Sequence, residues 1–152
     1  MPIPKGFKHS IESRLNMNKQ EQKAQTQFNH YVKEVFLKTN SGGFAFELKH
    51  SRGKDYISFS EIKEHQINAL SAVTGSGLVY KLSDSSLGQK PFDSIAFKNC
   101  QAFLVCFYPK SFELIPINNF IFEMERSKRK SLTYERAKAI STISVPLHEK
   151  KA

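Results

Sequence analysis

Residues 44–49 read Phe-Ala-Phe-Glu-Leu-Lys, a two-residue alternation that fits a β-strand. Phe44, Phe46 and Leu48 share one face, and Ala45, Glu47 and Lys49 share the other. One face therefore needs an apolar cover, while the other carries a carboxylate and an ammonium two residues apart. Helical spacing precedes this strand. Asn18 and Glu21 form an N-cap and N3 pair, and Ala24, Phe28, Tyr31, Val32, Val35 and Phe36 form the stripe. That helix is expected to end near Thr39, where Ser41-Gly42-Gly43 breaks the chain.

Beyond the strand, Ser51-Arg-Gly-Lys-Asp55 reads as a hairpin turn and Tyr56-Ile-Ser-Phe59 as its return strand. Ser60 is expected to cap a second helix running to about Val73, with Ile62, Gln66, Ala69 and Val73 as its stripe. Strands follow at roughly Leu78–Leu82, Phe92–Phe97, Ala102–Tyr108 and Phe112–Ile117. A loop rich in serine and glycine parts the first two, and Pro109-Lys-Ser111 turns the last pair. A short helix near Asn119–Glu125, the basic run Arg126-Ser-Lys-Arg-Lys130 and a helix from Ser131 through Ile140 complete the order. No repeat or low-complexity segment appears. The pattern predicts an α/β fold, a mixed central β-sheet flanked by helices. Residues 1–17 are expected as a basic N-terminal arm, and 18–152 as a single domain.

The chain has 152 residues and a formal charge of +9. A domain that basic repels itself, so a polyanion is the expected partner, nucleic acid ahead of an acidic membrane. Cys100 and Cys106 lack metal-ligand spacing, and Cys106 sits in an apolar run that suits a reduced core thiol. No secretory signal is read at the start and no apolar run spans a bilayer, so the expected location is cytoplasmic. In a cell that means the nucleoid; for a virus or mobile element, the host cytoplasm.

Glu47 and Lys49 carry the chemistry. Placing two charges beneath a covering helix is costly unless they pair or hold a metal; a salt bridge on a solvent-facing strand is the alternative. Their setting, a helix, a strand with Glu-x-Lys, a turn and another helix, resembles the core of PD-(D/E)XK nucleases. Phe46-Glu-Leu-Lys-His-Ser51 with Tyr56-Ile-Ser-Phe59 is similar to Holliday-junction resolvases of the archaeal Hjc and bacterial RecU types. Glu64-His65-Gln66 resembles the RecU-type helix, and Lys90-Pro-Phe-Asp93-Ser-Ile-Ala-Phe97 the proline–aspartate strand. The resemblance covers about residues 24–117.

It implies a restriction-endonuclease-like core and Mg²⁺-dependent endonucleolytic cleavage of DNA, with Mn²⁺ as substitute. The leading substrate is the four-way junction, cut by a homodimer. Glu47 and Asp93 become metal ligands, Lys49 the catalytic lysine, Glu34 a further metal ligand, and Gln66 a group for water or phosphate. In the family, however, the aspartate precedes Glu-x-Lys, whereas Asp93 follows it. A neighbouring strand would have to bring Asp93 beside Glu47, with Asp84 as substitute. Arg52, Lys54, Lys81, Lys90, Arg126, Lys128, Arg129 and Lys130 are the expected DNA contacts. The histidines show no zinc spacing. Phe103, Phe107, Phe112, Phe120 and Phe122 suggest apolar surface for a dimer interface. Other readings are a flap, fork or duplex nuclease, or a non-catalytic nucleic-acid-binding module.

Overall fold

The computed structural model describes residues 19–84 and 90–147. The N-terminal arm, the Asn18 cap and part of the serine-rich loop lie outside these residues. The first helix, α1, is α-helical over residues 19–31, passes through a π-helical turn at Val32–Phe36, and closes with Leu37–Thr39. A π turn inserts an extra residue and shifts the helical phase of the residues after it. Phe36 thereby faces inward at 1% exposure while Val35 turns out at 52%. Val35 thus leaves the expected stripe.

Beyond α1 the chain forms β1 (Phe44–His50), β2 (Tyr56–Ser58), α2 (Glu64–Thr74), β3 (Leu78–Lys81), β4 (Ser94–Phe97) and β5 (Gln101–Phe107), then β6 (Ser111–Pro116), α3 (Ile117–Arg126), β7 (Ser131–Thr133), α4 (Tyr134–Ile140) and β8 (Ile143–Pro146). The central sheet has the order β1-β5-β6-β8, parallel between β1 and β5 and antiparallel beyond. It is a mixed sheet flanked by helices. β5 is buried from Ala102 to Phe107, as a strand covered on both faces requires.

The alternation in β1 sorts the two cores as its sequence predicts. Phe44, Phe46 and Leu48 pack with Phe28 and Phe36 of α1 and with Phe103, Val105 and Phe107 of β5. Ala45 faces the other core, which holds Leu104 and Cys106 with Leu70, Val73 and Phe120. Phe103, Phe107, Phe112 and Phe120 are therefore buried within the chain, and only Phe122 of the five stays exposed, under Arg126 at 4.1 Å. The aromatic crowding does not create a dimer surface, because α1 covers much of it. On the second face Glu113 is wholly buried, accepting hydrogen bonds from Ser111 and Ser144 at 2.7 Å and from Ser141 at 2.9 Å.

Three local expectations are corrected. β2 pairs with β7 instead of returning along β1, so the turn at Ser51–Asp55 closes no hairpin. Ser60 lies in a 3₁₀ turn, Phe59–Glu61, and α2 starts at Glu64. Ser131 opens β7, and Thr133 caps α4 by accepting the Arg136 N–H at 3.3 Å. Among the described residues no helix is long and apolar enough to cross a membrane.

Candidate functional site

β1 carries Glu47 and Lys49 on the face that meets α2. The Lys49 ammonium lies 3.5 Å from Glu47 Oε1, with the side chains 18% and 31% exposed. Gln66, in the first turn of α2, donates its Nε2–H to that same oxygen at 2.7 Å. Its own Oε1 accepts the Lys63 N–H at 3.1 Å, so the helix start fixes which end of the amide faces the carboxylate. A hydrogen bond to a charged acceptor contributes about 1.5–3 kcal/mol. A partly exposed ion pair adds about 0–1 kcal/mol. Gln66, more than Lys49, therefore holds Glu47 in place. Glu47 Oε2 accepts no hydrogen bond among the described residues.

Glu47 and Lys49 open into a cleft of about 460 Å³ at the carboxyl end of the parallel β1–β5 pair, the position where open α/β sheets place their ligands. The cleft also takes in Glu21 and Gln25 of α1, His50, Arg52, Glu61 and Lys63. His50 stacks on Phe107 at 6.1 Å, and its Nδ1 accepts the Arg52 N–H at 2.8 Å. The neutral ring consequently carries its proton on Nε2. Burial lowers the His50 pKa; Glu21 pulls it up and Arg52 pushes it further down. That bond also supports Arg52, whose left-handed φ of 57° is uncommon outside glycine.

Phe59 donates its N–H to the Lys130 carbonyl at 3.0 Å, tying the loop after α3 to the 3₁₀ turn that bears Glu61. Arg126, Lys128, Arg129 and Lys130 are exposed there, and Arg52 and Lys54 are exposed in the turn after β1. Lys81 is exposed on β3, whereas Lys90 is taken up in ion pairs with Asp84 at 2.8 Å and Asp93 at 3.3 Å.

Of the sequence-predicted site residues, Glu47, Lys49 and Gln66 meet. Asp93 does not join them. β4 pairs with β3 in a separate sheet and β1 pairs with β5, so Asp93 and Asp84 stay 90% exposed on Lys90. Glu34 is also misplaced. It pairs with Lys38 at 3.6 Å, next to Phe36, whose ring sits 4.8 Å from Phe44 at the opposite end of β1. The α1 carboxylate that reaches the cleft is Glu21, to which the sequence assigns only a capping role. Glu61 joins it from a turn that carries no local signal.

Among the described residues no group of three histidine, cysteine, aspartate or glutamate side chains is placed to hold a metal. Mg²⁺ asks less of a protein, one or two carboxylates with water and phosphate oxygens completing the shell. The Oε2 of Glu47, which accepts no hydrogen bond among the described residues, fits that need in a cleft also lined by Glu21 and Glu61. Comparison with family models, with curated proteins and with solved structures gives no match.

Proposed function

We propose that this chain is a Mg²⁺-dependent DNA endonuclease of the PD-(D/E)XK kind, with four-way junctions as its leading substrate. The observation that carries this reading is the convergence of Glu47, Lys49 and Gln66, from two elements, at a cleft that Glu47 and Lys49 line together with Arg52 and Lys63. A mere strand salt bridge needs no third group to lock its carboxylate.

Glu47 would hold Mg²⁺ through Oε2, with Glu21 or Glu61 as the neighbouring carboxylate; Mn²⁺ has the same preference for oxygen ligands. The bound cation supplies Lewis-acid activation of water and offsets charge on the phosphate. Gln66 keeps the carboxylate oriented throughout. Lys49 is held at a loose 3.5 Å and can turn to the phosphate once Glu47 is neutralised. The Arg126–Lys130 segment, with Arg52 and Lys54, would follow the phosphate backbone and position it without reading bases. Paired cuts across a twofold junction call for a homodimer, a requirement that comes from the substrate's symmetry.

The test is incubation of the purified chain with labelled four-way junction, flap, fork and linear duplex, in Mg²⁺, Mn²⁺ or EDTA. Metal-dependent cutting, strongest on the junction, is expected, and Glu47→Ala should abolish it without weakening binding. Lys49→Ala should be equally inactive yet still bind Mg²⁺. Junction binding with no cleavage in either metal would leave a binding module.

A further inference from the structure

α3 divides its apolar residues unevenly. Ile117 and Phe120 are buried, and Ile121 and Met124 pack against the same core. Phe122 lies outside that core and stays 55% exposed. Its neighbours at helical spacing, Asn118, Asn119, Glu125 and Arg126, are all polar and exposed. A surface that docks another protein is a contiguous apolar patch, whereas Phe122 is one ring in a polar frame. What marks it out from an ordinary exposed side chain is the Arg126 guanidinium, 4.1 Å from the ring centroid.

Arg126 belongs to none of the ion pairs among the described residues. Glu123, on the same helix, is taken up by Arg136 through two bonds at 2.8 and 2.9 Å. The charge on Arg126 is thus left to the ring and to whatever approaches from solvent. Lys128, Arg129 and Lys130 follow at once, all exposed. The other basic segment repeats the pairing. Tyr56 is 40% exposed, and the Lys54 ammonium stands 5.4 Å over its ring. The two segments are joined, because β2 holds Tyr56 and pairs with β7, which begins directly after Lys130. Each stretch that offers cations to phosphate therefore also offers an aromatic ring to solvent.

We infer that Phe122, with Arg126 over it, is a stacking position for an unpaired base of single-stranded DNA. This rests on the reading of the Arg126–Lys130 segment as a phosphate path, and not on the chemistry at Glu47. Phosphate contacts alone treat every DNA alike. A ring beside them adds a preference. A base inside a duplex already has stacking neighbours on both faces, whereas an unpaired base has a face free for the ring. The guanidinium reinforces the site, since it is flat, weakly hydrated and stacks on aromatic faces itself. Stacking transfers no charge, so it adds affinity without releasing counterions. The substrate class so named is DNA that leaves bases unstacked, as a flap, a fork or an open branch point does.

Binding of the full chain to labelled oligothymidylate and to blunt duplex, measured in EDTA, tests this without reference to cleavage. Phe122→Ala should weaken the single strand about tenfold and the duplex by less than about twofold. The salt slope on the single strand should not change. Phe122→Leu, apolar but without a flat face, should behave as alanine does. The chain has no tryptophan, so Phe122→Trp introduces one reporter at the site. That variant should keep its affinity, and the single strand, but not the duplex, should quench its emission. Wild-type protein that binds no single strand overturns the stack, as does equal loss on both DNAs in Phe122→Ala or an unquenched tryptophan. A chain that cuts junctions while Phe122→Ala keeps full single-strand affinity sinks the stack alone. A chain whose tryptophan is quenched but that cuts no DNA sinks the nuclease reading alone.

Discussion

Gln66 is the side chain on which the site's geometry turns, because its amide answers to the backbone of Lys63 at one end and to Glu47 at the other. Gln66→Ala should lower stability by about 1–2 kcal/mol in urea denaturation. Glu47, released, should sample other rotamers, so cleavage should fall more than Mg²⁺ affinity does. Gln66→Glu would set a second carboxylate against Glu47 and should be worse than alanine at neutral pH. His50 makes a different prediction. Its folded-state pKa lies below the ordinary 6.5 chiefly through burial. As pH falls from 6.5 toward the folded value, the unfolded chain takes up the proton first, so stability declines across that window. Above it the contribution is constant. Urea midpoints measured from about pH 5 to 8 should show the decline, and His50→Gln should flatten it.

β1 and α1 were legible in the sequence because each is specified by its own periodicity, and two of the three converging residues lie on β1. The third, Gln66, was legible as a polar intruder in an apolar stripe. Pairing partners were not legible. Three-residue strands such as β2 and β7 acquire meaning only through each other, across more than 70 residues of chain, and β8 is a short run ending in proline. The π turn in α1 leaves no compositional mark, yet it sets the phase of Val35. The sequence also placed the helper carboxylate at the wrong end of α1, since Glu21 and Glu34 differ by position along a helix whose direction over the sheet only the fold defines. Glu113 was passed over altogether as one polar residue in an apolar strand. Its three serine donors come from β6, β8 and the end of α4, so it clasps the far side of the sheet. Glu113→Ala would strand those hydroxyls and open a void. A loss of about 3 kcal/mol is expected in urea denaturation, with the Glu47 cleft left intact. Glu113→Gln, which keeps acceptor capacity at one atom, should cost less.

Across the whole molecule the excess of 23 lysines and arginines over 14 acidic residues acquires a direction. Arg52 lines the cleft and Lys54 follows in the same turn after β1, while Arg126 at the end of α3 and Lys128, Arg129 and Lys130 beyond it lie on the segment bonded to Phe59, at the start of the turn that bears Glu61. Each of these that meets a phosphate displaces a condensed counterion. Binding should therefore weaken linearly on a log–log plot against salt, with a slope near −0.9 per contact on duplex arms. Lys90 should add little while its ion pairs with Asp84 and Asp93 persist. Replacing Lys128, Arg129 and Lys130 together by alanine should make the slope shallower by about 2–3. It should weaken junction and duplex alike, because backbone contacts carry no sequence or branch information. Fluorescence anisotropy across a salt series measures both quantities. An unchanged slope in the triple variant would mean that the DNA path avoids the loop after α3, leaving the turn after β1 as the principal phosphate contact beside Glu47.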